Sequence, residues 1–68
     1  MLQQTSNRLS TIREARGLTG AELARRIGVH RSWVSRIERG RAEPWPAFRA
    51  RAAAVLGVDE ELLFGTSS

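Results

Sequence analysis

The thirteen residues from Gly28 to Gly40, GVHRSWVSRIERG, set three arginines and two serines among the apolar Val29, Trp33, Val34 and Ile37. Read as a helix, with about 100° between successive residues, Val34 and Ile37 share one side and must face a core. Ser32, Ser35, Arg36 and Arg39 then gather on the opposite side. Arg31 falls at one edge beside Glu38, and Trp33 at the other edge, nearer the core. The outer side is cationic, carries small hydroxyls and has little bulk between them. Such a side is either a plain solvated surface or one shaped to touch something negative. The chemistry on offer is recognition: arginine donates paired hydrogen bonds to guanine, serine meets groups of either strand, and a DNA major groove admits one helix.

Catalytic chemistry finds little to work with. The chain has one histidine, no cysteine and no lysine. No glycine-rich phosphate loop and no metal-ligand spacing occurs. The expectation is therefore no enzyme, no metal and no cofactor. All eleven basic residues are arginine and the net charge is +4. A GC-rich genome accounts for the arginine bias as readily as function does, yet a small basic domain is also a candidate for nucleic acid or another acidic partner. No apolar run approaches membrane-spanning length, and the opening MLQQTSNRLS lacks the pattern of a secretory signal. These features predict a cytoplasmic protein without membrane contact.

The elements that would position the basic stretch read as helices with clear punctuation. Leu9, Ile12 and Arg16 lie on one side of a first helix that Ser6 could cap and Gly17 would end. Thr19 and Glu22 form a capping box at the start of a second helix. Leu23, Ala24 and Ile27 are its apolar stripe, and Gly28 stops it. Val29 and His30 make a turn into the third helix, which runs to about Arg39 with Gly40 as its stop. In RAEPW, Pro44 forces Glu43 to be extended. Pro46 suits the first turn of a fourth helix, with Phe48, Ala52, Val55 and Leu56 facing inward. Asp59 would cap a short fifth helix carrying Leu62, Leu63 and Phe64. The 68 residues have room for one domain, with an ordered core expected over about 6–64.

Two short helices joined by a turn make a helix-turn-helix. At this point the run LSTIREARGLTGAELARRIGVHRSWVSRIERGRAEP, followed by AVLGVDEELLFG, resembles the phage-repressor and Cro-type helix-turn-helix family, also called XRE-like. The resemblance rests on Leu18–Val29, Val34–Gly40, Pro44 and Val55–Val58, and covers nearly the whole chain. It implies an all-α fold: a compact, lambda-repressor-like five-helix bundle whose helices 2 and 3 form the DNA-binding unit. It also implies a dimer reading a pseudo-palindromic operator in double-stranded DNA.

Carried over position by position, the resemblance implies that Arg31, Ser32 and Arg36 meet base edges. Gly20, His30, Ser35, Arg39 and Arg41 are backbone or auxiliary contacts. Gly20 has no side chain to donate and would act only through main-chain amides at a helix N-terminus. His30 stands where the family usually has serine or threonine. It is a poorer cap, and is either a DNA contact or a partly exposed turn histidine. Arg39 and Arg41 either reach phosphates or remain solvated. Arg13 and Glu38 are implied to form a partly buried ion pair between helices 1 and 3, which suits the planar fork of arginine. Trp33 reads as a boundary core residue or an indole contact to phosphate. Trp45 replaces the usual polar cap before helix 4 and is assigned no role beyond packing or a partner contact.

These readings predict a sequence-specific transcriptional regulator, a repressor, that inserts helix 3 in the major groove as a dimer. Two alternatives share the fold: an antitoxin that binds DNA and a toxin protein, and a protein-interaction module that no longer binds DNA. Leu62, Leu63 and Phe64 exceed what a short terminal helix needs for its own packing. Leu62 and Phe64 are accordingly expected at the homodimer interface, with Phe64 the preferred contact and pairing occurring at least on DNA.

Overall fold

In the computed structural model, which describes residues 7–65, five helices follow one another: α1 (Leu9–Ala15), α2 (Gly20–Ile27), α3 (Arg31–Glu38), α4 (Pro46–Leu56) and α5 (Glu60–Phe64). No strand occurs among the described residues. Helix α2 is central: it packs against α1, α3 and α4, while α5 closes against α1 and α4. Leu9 of α1, Leu23 and Ile27 of α2, Val34 and Ile37 of α3, Phe48 and Leu56 of α4 and Leu63 of α5 meet in one buried core. No buried polar or charged residue interrupts it among the described residues.

The helix ends follow from local chemistry. Thr19 Oγ1 accepts the amide of Glu22 at 3.0 Å, and the Glu22 carboxylate accepts the amide of Thr19 at 2.8 Å. Two amides at the start of α2 are thereby satisfied reciprocally. The Thr19 amide, and after it the Thr19 hydroxyl, favour the ionised carboxylate, so Glu22 is held below the usual carboxylate range. Gly28 ends α2 in the left-handed region at φ +96°, which the absence of a Cβ permits. The Val29 amide then reaches back to the Ala24 carbonyl at 3.0 Å. The same backward bond runs from Leu18 to Arg13 and from Val58 to Ala53. In each case the residue after the stop is apolar and packs against the core, as this termination motif favours.

Of three local expectations, one falls outside the described residues and two change. The cap assigned to Ser6 lies outside the described residues; α1 starts at Leu9, whose amide is accepted by the Asn7 side chain at 3.0 Å. Asp59 stands at the N-cap of α5, but its side chain makes no capping hydrogen bond. On α4, Ala53 is buried and Val55 only partly so. That helix packs against both α2 and α5, which turns its buried arc towards the small Ala53 side chain.

Arginines fasten the helices to one another. Arg16 Nε donates to the Leu56 carbonyl at the end of α4 at 2.9 Å, and Arg51 Nη1 donates to the Ile27 carbonyl at the end of α2 at 3.4 Å. Each supplies a donor to a helix C-terminus, where carbonyls lack helical partners and positive charge is favoured.

Candidate nucleic-acid interface

Helix α3 is held from beneath by Val34 and Ile37, both fully buried. That seating turns Ser32, Ser35, Arg36 and Arg39 outward, all of them exposed, with Arg31 exposed at the edge. No ion pair engages Arg31, Arg36, Arg39 or Arg41 among the described residues. The acidic residue of the helix, Glu38, is already taken by Arg13. The outer face of α3 is therefore left with uncompensated positive charge.

Two grooves flank this face. One, of about 440 Å³, is bounded by Gly20 and Ala21 of α2 and by Arg31, Ser32 and Ser35 of α3. The amide of Gly20, at the first position of α2, has no partner within its helix, and Gly20 lines that groove. A Cβ added at Gly20 would lie 3.9 Å from Val34 Cγ1, an ordinary contact, so packing does not demand glycine there. The second, of about 310 Å³, is lined by Ser35, Arg36, Arg39 and Arg41. Arg41 is fixed there by the end of α3: Gly40 turns the chain at φ +74°, and the Arg41 amide donates to the Arg36 carbonyl at 2.8 Å. This is the termination geometry of α1, α2 and α4, but the position after the stop, apolar in those three, is an exposed arginine here. A local packing rule is broken at the rim of the cationic face, which is where functional constraints override such rules.

His30 caps α3. Its Nδ1 accepts the Ser32 amide at 3.1 Å and lies 2.9 Å from Ser32 Oγ. The expectation that histidine caps poorly is corrected: with the ring proton on Nε2, Nδ1 has the lone pair that serine or aspartate would offer. The ring is exposed, and its partner Ser32 lines the first groove.

Trp33 is more exposed than a core-boundary residue, at 39%. Its ring stands edge-on to Trp45, 5.5 Å between centroids and 84° between planes. Trp45 in turn packs on Phe48 at 5.2 Å. Trp45 makes no capping hydrogen bond at the start of α4; its ring fills the space between α3 and the core. Arg36 Cζ lies 5.5 Å from the centre of the Trp33 ring. Sequence reading missed this file of rings, and the only signal for it was two tryptophans on neighbouring elements.

At the other end of the fold the terminal apolar residues separate. Leu63 is fully buried and Leu62 is 41% exposed. Phe64 is half-buried, 6.2 Å from Phe48 and covered by Arg49 at 5.3 Å. Of the two residues expected at a dimer interface, Leu62 is the more exposed, while the Phe64 ring lies against Phe48 and Arg49. A groove bounded by Asn7, Arg8 and the end of α5 adjoins Leu62. No helix among the described residues is long and apolar enough to cross a membrane.

A helix-turn-helix domain family model matches residues 6–63. Among solved structures the chain is similar to one in the SinR protein/SinI protein complex, with 34% identity over 79% of this chain and 53% of that one, at a TM-score of 0.74. It is also similar to the restriction-modification controller protein C.AhdI from Aeromonas hydrophila, with 31% identity over 81% of this chain and 83% of that one, at a TM-score of 0.76. A third similar structure is the clp gene regulator ClgR from Corynebacterium glutamicum, with 33% identity over 76% of this chain and 55% of that one, at a TM-score of 0.73. The chain spans about half the length of the matched chains in the SinR/SinI complex and ClgR. No curated protein matches it.

Proposed function

The chain belongs to the helix-turn-helix domain family, in its Cro-type, XRE-like branch, and we propose that it is a repressor that binds a pseudo-palindromic operator as a dimer. Helix α3 enters the major groove. Arg31, Ser32 and Arg36 read base edges, Arg36 and Arg31 most simply at guanines. Gly20, His30, Ser35, Arg39 and Arg41 meet the sugar-phosphate backbone or support those that do. The observation that carries this reading is the outward face of α3, whose arginines have no acidic partner among the described residues while Glu38 is withdrawn into its pair with Arg13. A protein-binding face would instead present apolar and aromatic side chains at its centre. A regulator of this kind works where the DNA is, and we read the chain as cytoplasmic, with residues 1–68 acting as one domain.

The direct test is selection of duplexes from a random library, followed by a gel shift with excess unselected competitor. A preferred, two-fold symmetric sequence is the expected result. Binding that disappears under competitor would leave only nonspecific affinity and overturn the reading.

A second reading, regulation through a protein partner as in an antitoxin, draws support from the SinR protein/SinI protein complex and from the exposed Leu62. It is compatible with operator binding.

A further inference from the structure

Arg36 is the one residue of the α3 face that rests on an aromatic ring among the described residues, with Cζ 5.5 Å from the Trp33 centroid. That ring is itself braced. Trp45 meets it edge-on at 5.5 Å, and Trp45 sits 5.2 Å from Phe48, whose side chain is fully buried. A continuous file thus runs from the core to the cationic face: Phe48, Trp45, Trp33, Arg36. Arg31 and Arg39 have no such support among the described residues.

From this we infer that Trp33 is a positioning residue for sequence recognition: braced by Trp45, it holds the Arg36 guanidinium ready to read a base. The inference rests on the DNA-reading role proposed above. Its physical basis is a division of labour within the guanidinium. The face of the group is attracted to the negative face of an indole. The N–H donors lie along the edge, and the edge is what pairs with guanine O6 and N7. A guanidinium that turns its face to the ring keeps this edge free. An arginine loose in water must be ordered on binding, which weakens the complex; one already held on a ring loses less freedom. Trp33 is 39% exposed, and three-residue spacing on α3 puts its ring on the same side of the helix as Arg36.

The test uses the full chain. In the free protein, NMR should find the Arg36 side-chain protons shifted upfield by the indole ring current, with the shift lost in Trp33→Leu. Unshifted protons in the parent would overturn the inference without any variant. Binding is then measured by anisotropy of a labelled duplex selected by the parent protein, and of a shuffled duplex of equal composition. Trp33→Leu should weaken the selected duplex about two- to tenfold, as expected for ordering one long side chain, and leave the shuffled duplex unchanged. Trp33→Phe, which keeps a ring, should restore most of the loss. In an Arg36→Ala background Trp33→Leu should have no further effect. An equal loss on both duplexes, or the same loss with and without Arg36, would overturn the positioning role while the DNA-reading role of Arg36 stands. If Arg36→Ala leaves both duplexes unaffected, or no duplex is preferred at all, the base-reading role itself falls and this inference with it.

Discussion

Arg13 and Glu38 form a two-pronged ion pair between α1 and α3, with Nε 2.7 Å from Oε2 and Nη2 3.2 Å from Oε1. The remaining prong, Nη1, donates to the Leu18 carbonyl at 2.7 Å. Both side chains are only 13% exposed. The hydrogen bond to Glu38 raises the affinity of the Arg13 guanidinium for its proton, outweighing partial burial. Removing one partner of a largely buried pair strands the other, so Arg13→Ala should destabilise the fold by about 3 kcal/mol. Arg13→Lys should not rescue it, since an ammonium cannot span the carboxylate and the carbonyl together. Thermal melting checks both; a melting point equal to that of the parent would mean the pair contributes nothing.

Arg36→Ala should cost about 1–3 kcal/mol on a selected duplex and much less on random DNA. Competition binding on the two duplexes measures the difference. Equal losses would make Arg36 a phosphate contact and move base reading elsewhere on α3.

The capping box of α2 should be visible in acid. Glu22 has its folded-state pKa lowered by the Thr19 amide and hydroxyl. A carboxylate with a lowered folded pKa contributes stability that is present above its unfolded pKa and is lost as pH falls through the folded one. Glu22→Gln should therefore flatten the decline of stability on acidification, compared by denaturant midpoints down the acid range. Thr19→Ala, which removes the reciprocal bond, should cost about 1 kcal/mol at neutral pH.

His30→Ala should cost about 0.5–2 kcal/mol by uncapping α3, and His30→Asn should restore most of it, because an Asn side chain offers an acceptor in the same place. Chemical denaturation of the two variants separates capping from any DNA contact. A neutral His30→Ala would assign the ring to recognition alone.

Leu62 and Phe64 should part company in assembly. Leu62→Ala should weaken cooperative binding to a two-fold site, whose recognition helices would lie roughly 34 Å apart, while leaving the monomer fold intact. Phe64→Ala should instead lower stability by on the order of 2 kcal/mol, since its ring is packed on Phe48. Cooperativity that survives Leu62→Ala would shift the dimer contact away from α5.

The amino-acid sequence by itself determined the helices and the cationic face of α3. Thr19 with Glu22, Gly28, Gly40 and Pro46 act on neighbours within a few residues, so their effect is readable from spacing alone. The 3.6-residue period likewise turns Arg36 outward once Val34 and Ile37 turn inward. Only the tertiary structure decided relationships between elements. Asn7 donates to the Ile37 carbonyl 30 residues away, and Arg16 to that of Leu56 at a separation of 40. Leu62, Leu63 and Phe64 are consecutive and spread over most of a helical turn, so no periodicity could say which of them stays free; the approach of α1 and α4 chose Leu63 for the core. Trp33 and Trp45 met because α4 starts beside α3, and that meeting braced the ring that α3 itself places one turn before Arg36. Local chemistry sets which residues face out, whereas the packing of helices sets which of those side chains is held still.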